Sequence, residues 1–426
     1  MWDVKKTHAW EALGYHGLAL CSAHGRVFNQ HNNKETHVPT TVRRGQSVAP
    51  DARLAVQEFH AQVQQPDAGL VLFFCSSAHD LDALAAEMNR LFVGVQVVGC
   101  TSAGEMGPLG CQDGSLSGAS FSGDGCVAVS GRIGFLQHFE MGQGQALAQG
   151  LMQRMESLAP DADADNCVAL LLIDGMSKRE EPVTRSLQNA LGRWPLAGGS
   201  AGDGLDFGHT QVFCDGAFHV DSAVLVLLKP NAPFKLFKTQ HFVATDERLV
   251  VTDADAANRI VREINGLPAA EEYARILGLA VGDLDPGRFA AWPVVVMIDG
   301  TNYVRSIQKA NADGSLTFFC AIEDGLVLRV AKGVDLQTNL AEVLAQVQAD
   351  VGPLQLLLVF DCILRKLEIA QCGLTPAVAQ TLQACQAVGF NTYGEQFNGV
   401  HVNQTLVGLA IGSAGAAEVP EGADHG

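Results

Sequence analysis

Apolar residues along this chain fall into blocks of two kinds. The first is a short unbroken run bounded by polar or glycine residues, as in "AGLVLFFCSS", "CVALLLIDG" and "LQLLLVFDC". Runs this short and continuous predict strands covered on both faces, the environment of a parallel sheet. The second kind has apolar residues three and four apart: "DLDALAAEMNRLF", "EEPVTRSLQNALG" and "TPAVAQTLQACQA". That spacing predicts amphipathic helices. Each run of the first kind precedes one of the second, and a further strand then enters a glycine turn: "VQVVGCTSAGE", "PLAGGSAGDG" and "VGFNTYGE". Alternating, strand-like sequence follows every turn. A strand, helix, strand and glycine turn repeated three times predict an α/β fold of recurring units with mixed sheets.

The first two copies adjoin, whereas the third lies about 190 residues further on. This spacing predicts an N-terminal double unit over residues 39–235 and a C-terminal domain over 236–412. The seam falls at "KPNAPFKLFK", where Pro230 and Pro233 mark a connection. "SVAPDARLAVQEFHAQV" reads as the first helix of the body. In the C-terminal half, "IVREING" reads as a hairpin limb, "AAEEYARILG" as a helix ended by glycine, and "ADGS" and "EDG" as turns between short strands. Residues 1–38 hold five of the 13 histidines without sustained periodicity and read as a poorly ordered extension. Residues 413–426 read as a flexible tail.

Composition narrows the function. With 47% hydrophobic and 17% charged residues the chain is a well-buried globular protein. A formal net charge of −18 repels phosphates and anionic lipid, which argues against nucleic acid or a membrane surface as partner. No run approaches the roughly 20 apolar residues of a membrane span. Eleven cysteines without an export signal predict reduced thiols in the cytoplasm. None forms CxxC or CxxCH, which removes zinc ribbons, thioredoxin chemistry and covalently attached haem.

The glycine turns offer the first candidate site. They contain neither a GxGxxG opening a helix nor a GK[ST], so nucleotide phosphate binding is unsupported. Each turn alone is explained by tight packing at a repeat interface. Three of them ending in Glu105, Asp203 and Glu395 favour a shared pocket, for which Gly198, Gly199, Tyr393 and Glu395 are candidates. Cys100 stands at a strand-to-turn position as a nucleophile or, more simply, a small buried hydrophobe. Asp174 and Asp361 end strands, where turn-forming aspartates are also at home. The stretch "FKTQHFVATDER" sets His241 among apolar neighbours, with Phe237 on its own side if the segment is extended and Phe242 next to it. Such an imidazole is either a hydrogen-bonded core residue or a ligand facing a cavity. His209, His219 and His401 share that status.

The motifs "VVGCTSAGE", "PLAGGSAGD" and "GFNTYGEQFNGVHVNQTLVG", in this order, resemble the FIST sensory family, with its N-terminal and C-terminal FIST domains, over roughly residues 50–412. "FKTQHF", "INGLPAAEEYA", "DGTNYVRSIQKANADGSLTFFCAIEDGLVLRVA" and "FDCILRKLEIAQ" look like its haem-binding, nitric-oxide-sensing branch. The resemblance implies a cytoplasmic receptor, not an enzyme. It would bind haem b, take nitric oxide on the iron, and regulate a histidine kinase or a diguanylate cyclase or phosphodiesterase, with effects on biofilm, alone or as a homodimer. It implies His241 as axial ligand, with His209, His219 and His401 in reserve and thiolates of Cys362 or Cys320 behind them. The rival expectations are a haem-free FIST receptor for a small metabolite such as an amino acid and a Cys100-dependent acyl-transfer enzyme.

Overall fold

A computed structural model describes residues 38–298 and 300–413. The expected unit recurs three times. The first holds β1 (Val42–Ser47), α1 (Ala52–Val63), β2 (Ala68–Ser76), α2 (Leu81–Leu91), β3 (Gln96–Ser102), the hairpin β4 (Glu105–Gly107) and β5 (Gly110–Gln112), and β6 (Leu116–Ser122). The second holds β7 (Cys126–Gly134), α3 (Met141–Leu158), β8 (Val168–Ile173), α4 (Glu180–Leu191), β9 (Leu196–Ser200), the hairpin β10 (Val212–Cys214) and β11 (Ala217–His219), and β12 (Ser222–Pro230). The third begins with β13 (Phe234–Thr239) and is then interrupted by an insertion.

The insertion spans residues 242–333. It contains β14 (Phe242–Asp255), β15 (Ile260–Ile264), β16 (Leu267–Pro268), α5 (Ala269–Leu277), α6 (Pro286–Ala291), β17 (Val294–Ile298), β18 (Thr301–Arg305), β19 (Ile307–Ala310), β20 (Leu316–Phe318) and β21 (Val327–Gly333). The third unit resumes with α7 (Leu336–Val351), β22 (Leu354–Cys362), α8 (Ile363–Gln371), α9 (Thr375–Ala384), β23 (Ala387–Thr392), the hairpin β24 (Glu395–Phe397) and β25 (Val400–Val402), and β26 (Leu406–Gly412).

The sheets reveal how the units are locked. Their orders are β1-β6-β2-β3-β10-β11, β7-β12-β8-β9-β24-β25 and β13-β26-β22-β23-β4-β5. Each unit therefore lends its hairpin to a neighbour's sheet, and the lending closes in a ring. The central pairs β2/β3, β8/β9 and β22/β23 are parallel, and the rest of each sheet is antiparallel. Strands on the two sides of residue 235 thus share sheets.

The period of two in the apolar runs divides the core. Leu70, Leu72 and Phe74 of β2, Leu170 and Leu172 of β8, and Leu356, Leu358 and Phe360 of β22 point inward to one common core. Their alternates face the helices: Val71 and Phe73 under α1 and α2, Leu171 and Ile173 under α3 and α4, Leu357 and Val359 under α7 and α9. Phe74 stacks on Phe390 at 4.5 Å across units. The insertion has its own core around Leu249, Tyr273, Phe289 and Leu328.

Helix α1 starts where Asp51 accepts from the Leu54 amide, and α5 ends at Gly278 in the left-handed region, as its glycine predicts. The predicted extension and tail lie almost wholly outside the described residues.

Candidate functional site

The three glycine turns converge at the carboxyl ends of the parallel strands, where α/β folds place their ligands. The Gly202 amide donates to the Thr101 carbonyl at 3.0 Å, Ala103 to Asn391 at 3.0 Å, and Ser200 to Gly394 at 2.8 Å. Two of the acidic turn ends face inward. Glu105 accepts from the Ser102 hydroxyl and, at 2.8 Å, from the amide and hydroxyl of Ser115. Glu395 repeats the pattern with Thr392 and Thr405, the latter at 3.2 and 2.6 Å. Burial pushes the two carboxyls up to about 7 and about 8. They pin their own turns.

Asp203 is different. It accepts from the Tyr393 hydroxyl and from the amides of Gly208 and His209 at 2.8 and 2.6 Å. Burial works against its charge, but these hydrogen bonds outweigh it and hold the carboxyl below its usual range. The result is a folded-over loop, residues 203–209, whose Phe207 is turned against Tyr393 at 4.7 Å and Phe319 at 5.7 Å.

These rings stand in a cleft between the strand ends and the insertion. Its larger hollow measures about 750 Å³ and its smaller about 390 Å³; they share Phe207, Pro286, Gln308 and Phe319. The smaller is apolar, walled by Leu205, Ile363, Leu364 and Leu367. The larger turns polar toward Lys178, Lys309, Asn311 and Thr317. Phe207 and Lys178 both hold left-handed backbone, with φ of 51° and 55°. That strain is concentrated in the cleft wall, as at many ligand sites.

Of the residues that sequence reasoning proposed for the pocket, Tyr393 lines the cleft. The others are placed elsewhere. Cys100 is fully buried in the common core, and burial pushes its thiol well above the usual range, so it offers no nucleophile. Gly198 and Gly199 are packing glycines: a Cβ would lie 2.1 Å from the Leu171 carbonyl oxygen and 2.6 Å from Thr392, respectively. Phe237 lies under α7 and packs on Gly408, and Phe242 packs with Val295, Val304 and Ala331. Sequence reasoning missed Met176, Phe207, Phe319 and Leu364, which reach the cleft from four separate segments.

His241 sits at the neck of the insertion, one residue before β14. Its carbonyl accepts from Val334 at 2.7 Å, joining the start and end of the inserted chain. Its Nε2 faces the Glu368 carboxylate at 2.8 and 3.0 Å, and Arg365 reaches Nδ1 at 3.1 Å. A guanidinium only donates, so Nδ1 accepts and Nε2–H donates to Glu368. Arg365 also donates to Asp361 at 2.7 Å. Both imidazole nitrogens are therefore engaged, and the side chain is buried away from the cleft.

Among the other histidines, His219 reaches the Cys214 carbonyl at 3.3 Å from a hairpin. His401 is buried with Nδ1 at 3.2 Å from Gln396 and Nε2 unpartnered. His209 is exposed, with no hydrogen bond on its ring, two residues from Phe207.

Helix α8 ties these parts together. Ile363, Leu364 and Leu367 line the cleft, while Arg365 and Glu368 hold His241. The helix has no counterpart in the other units.

Haem has a flat apolar macrocycle and two carboxylates at one edge. The cleft offers Phe207, Phe319 and Leu364 to such a ring, and its polar side holds Lys178 and Lys309 together with Asp206 and Asp313. The axial imidazole fits less directly. At His241, iron would have to displace the Nε2 proton and Glu368 together. At His209, it would meet a free ring. No group of three or more histidine, cysteine or carboxylate side chains among the described residues is arranged to hold a bare metal ion.

Residues 69–267 match the family model for the FIST N domain and residues 269–398 that for the FIST C domain. No curated protein matches the sequence. A solved structure titled "Cyanuric acid hydrolase: evolutionary innovation by structural concatenation" is similar at a TM-score of 0.34 and 9% identity, over 88% of this chain and 100% of that one. Nothing about the chemistry of this chain follows from a likeness so distant.

Proposed function

The chain belongs to the FIST-domain proteins, a sensory family of signal transduction, and on that premise we propose that it is a haem-based nitric oxide receptor, not a catalyst. The observation that carries this reading is the amphipathic cleft where the glycine turns meet the insertion, apolar at Leu364 and Leu367 and, on its polar side, mixed in charge, with Lys178 and Lys309 beside Asp206 and Asp313. Haem, when bound, supplies an iron that takes nitric oxide. Phe207, Phe319 and Tyr393 present ring faces and edges to a flat ligand. Lys178 and Lys309, standing beside Asp206 and Asp313, would pair with carboxylates at the polar side, and the apolar wall would keep water from the macrocycle.

Two imidazoles would be candidates to hold the iron: His209, exposed two residues from Phe207, and His241, which would first have to leave Glu368 and Arg365 and turn toward the cleft. Either way, movement at the cleft bears on α8, which holds the neck of the insertion through Glu368 and Arg365. A partner that binds the two positions of the insertion with different affinity reads the signal. We assign that role to a histidine kinase or a cyclic-di-GMP enzyme in the cytoplasm. No helix among the described residues is long and apolar enough to cross a membrane, and a charge of −18 suits a basic docking face. The haem-free reading, a receptor for an amino-acid-sized metabolite, places its ligand in the same cleft.

Hemin titration of the purified protein tests the proposal. One equivalent per chain should give a Soret band, and His241→Ala and His209→Ala should divide, one keeping the axial-ligand spectrum and the other losing it. Absence of any hemin-dependent band excludes the haem reading and leaves the metabolite reading.

A further inference from the structure

The ring of exchanged hairpins builds the same contact more than once, and one copy is hollow. Met106 of β4 faces Gly389 of the third unit just as Gln396 of β24 faces Gly198 of the second. Across the hairpins, Met106 pairs with Cys111 and Gln396 with His401. In the second case the space is filled. The His401 imidazole lies so close to Gly394 that an added Cβ would stand 2.3 Å from its Cε1. In the first, Cys111 occupies the position of His401. The space over the matching Gly104 is taken by Lys366, whose Nζ lies 2.5 Å from where a Cβ would stand, while the short thiol leaves room beside it. A cavity of about 210 Å³ opens between the hairpin and helices α8 and α9.

Apolar side chains form most of its wall: Met106, Ile369, Val378 and Leu382. One end is polar, with Asp361, Lys366, Asn391 and Asp113. We propose that this cavity is a second ligand site, separate from the cleft, for a neutral, mostly apolar molecule carrying one hydrogen-bond donor. The size follows from comparison: an engineered apolar cavity of about 150 Å³ holds benzene, so this one accommodates a bicyclic ring of roughly nine heavy atoms. The charge follows from the polar end. Lys366 is paired with Asp113 and Arg365 with Asp361, so a charged ligand would arrive without a counter-ion in a largely apolar space. The donor follows from Asp361. Arg365 uses one of its oxygens at 2.7 Å, and an ionised carboxylate has further lone pairs to offer. An occupant would also press on α8 through Ile369 and Ala370, the face turned away from the cleft.

Isothermal titration with indole tests the site. One saturable event per chain is expected. 1-Methylindole, which lacks the donor, and indole-3-carboxylate, which adds a charge, should each bind at least about tenfold more weakly. Cys111→His, copying the filled hairpin, should abolish the heat while leaving hemin uptake unchanged. Val378→Phe fills the same space from α9 and serves if the first variant does not fold. No saturable indole binding, equal binding of 1-methylindole, or wild-type indole binding by a folded Cys111→His or Val378→Phe protein overturns the proposal.

Discussion

At the residue scale, buried charge decides most of what happens. His241 bridges Glu368 and Arg365, and Arg365 is itself buried beside Asp361. His241→Ala leaves the buried Arg365 guanidinium and the largely buried Glu368 carboxylate short of a partner, a loss of about 3 kcal/mol. Urea unfolding of the haem-free protein should show that loss, whereas a surface histidine such as His138 should cost almost nothing when replaced. Glu395 gives a pH signature. Its carboxyl is pushed up to about 8 in the folded protein, from an ordinary value near 4.5. A raised carboxyl pKa means that the folded state holds the proton more tightly, so its contribution is full below pH 4.5 and fades as pH rises through 8. Stability should therefore fall between pH 5 and 8, and Glu395→Gln should flatten that slope. A slope that is unchanged in the variant would assign the pH dependence to another group, with Glu105 next in line at about 7.

At the scale of elements, the close approaches between units are the sensitive points. A Cβ at Gly199 would stand 2.6 Å from Thr392 and 2.9 Å from Phe390. Gly199→Val should destabilise by about 2–3 kcal/mol through overpacking, read as a lowered thermal midpoint. The three repeats were legible because β2, β8 and β22 are buried on both faces, which writes continuous apolar runs into the chain. Strand β1 was not legible: "VRRGQS" sits at a sheet edge, where polar residues are tolerated. Helix α8 was hidden for a related reason. Arg365, Lys366 and Glu368 interrupt its apolar residues, and their partners within the protein come from distant segments. Arg365 and Glu368, three positions apart, share one face of α8, and Asp361 at the end of β22 stands just before that helix; this spacing of charges was the signal available. His241 was readable as an imidazole with a special environment, but not which environment, because its partners come from a segment more than 100 residues away.

At the scale of the whole molecule, the ring of exchanged hairpins makes the three units interdependent. Periodicity shows that a hairpin exists; it does not show whose sheet receives it. The cleft has the same origin, since Phe207 and Phe319 meet only after the insertion folds over the strand ends. Because β4 and β5 complete the third sheet, and β24 and β25 the second, residues 38–235 and 236–413 produced as separate chains should each fail to give a cooperative unfolding transition. Mixed before refolding, they should regain one. The account rests most heavily on the cleft as a haem site. Its most direct test is the absorption spectrum of the ferrous protein before and after nitric oxide. The account predicts a Soret band that shifts when the gas is added, and that is weakened when Phe319→Ala opens the wall. A protein that stays colourless with excess hemin, or a band that ignores nitric oxide, contradicts it.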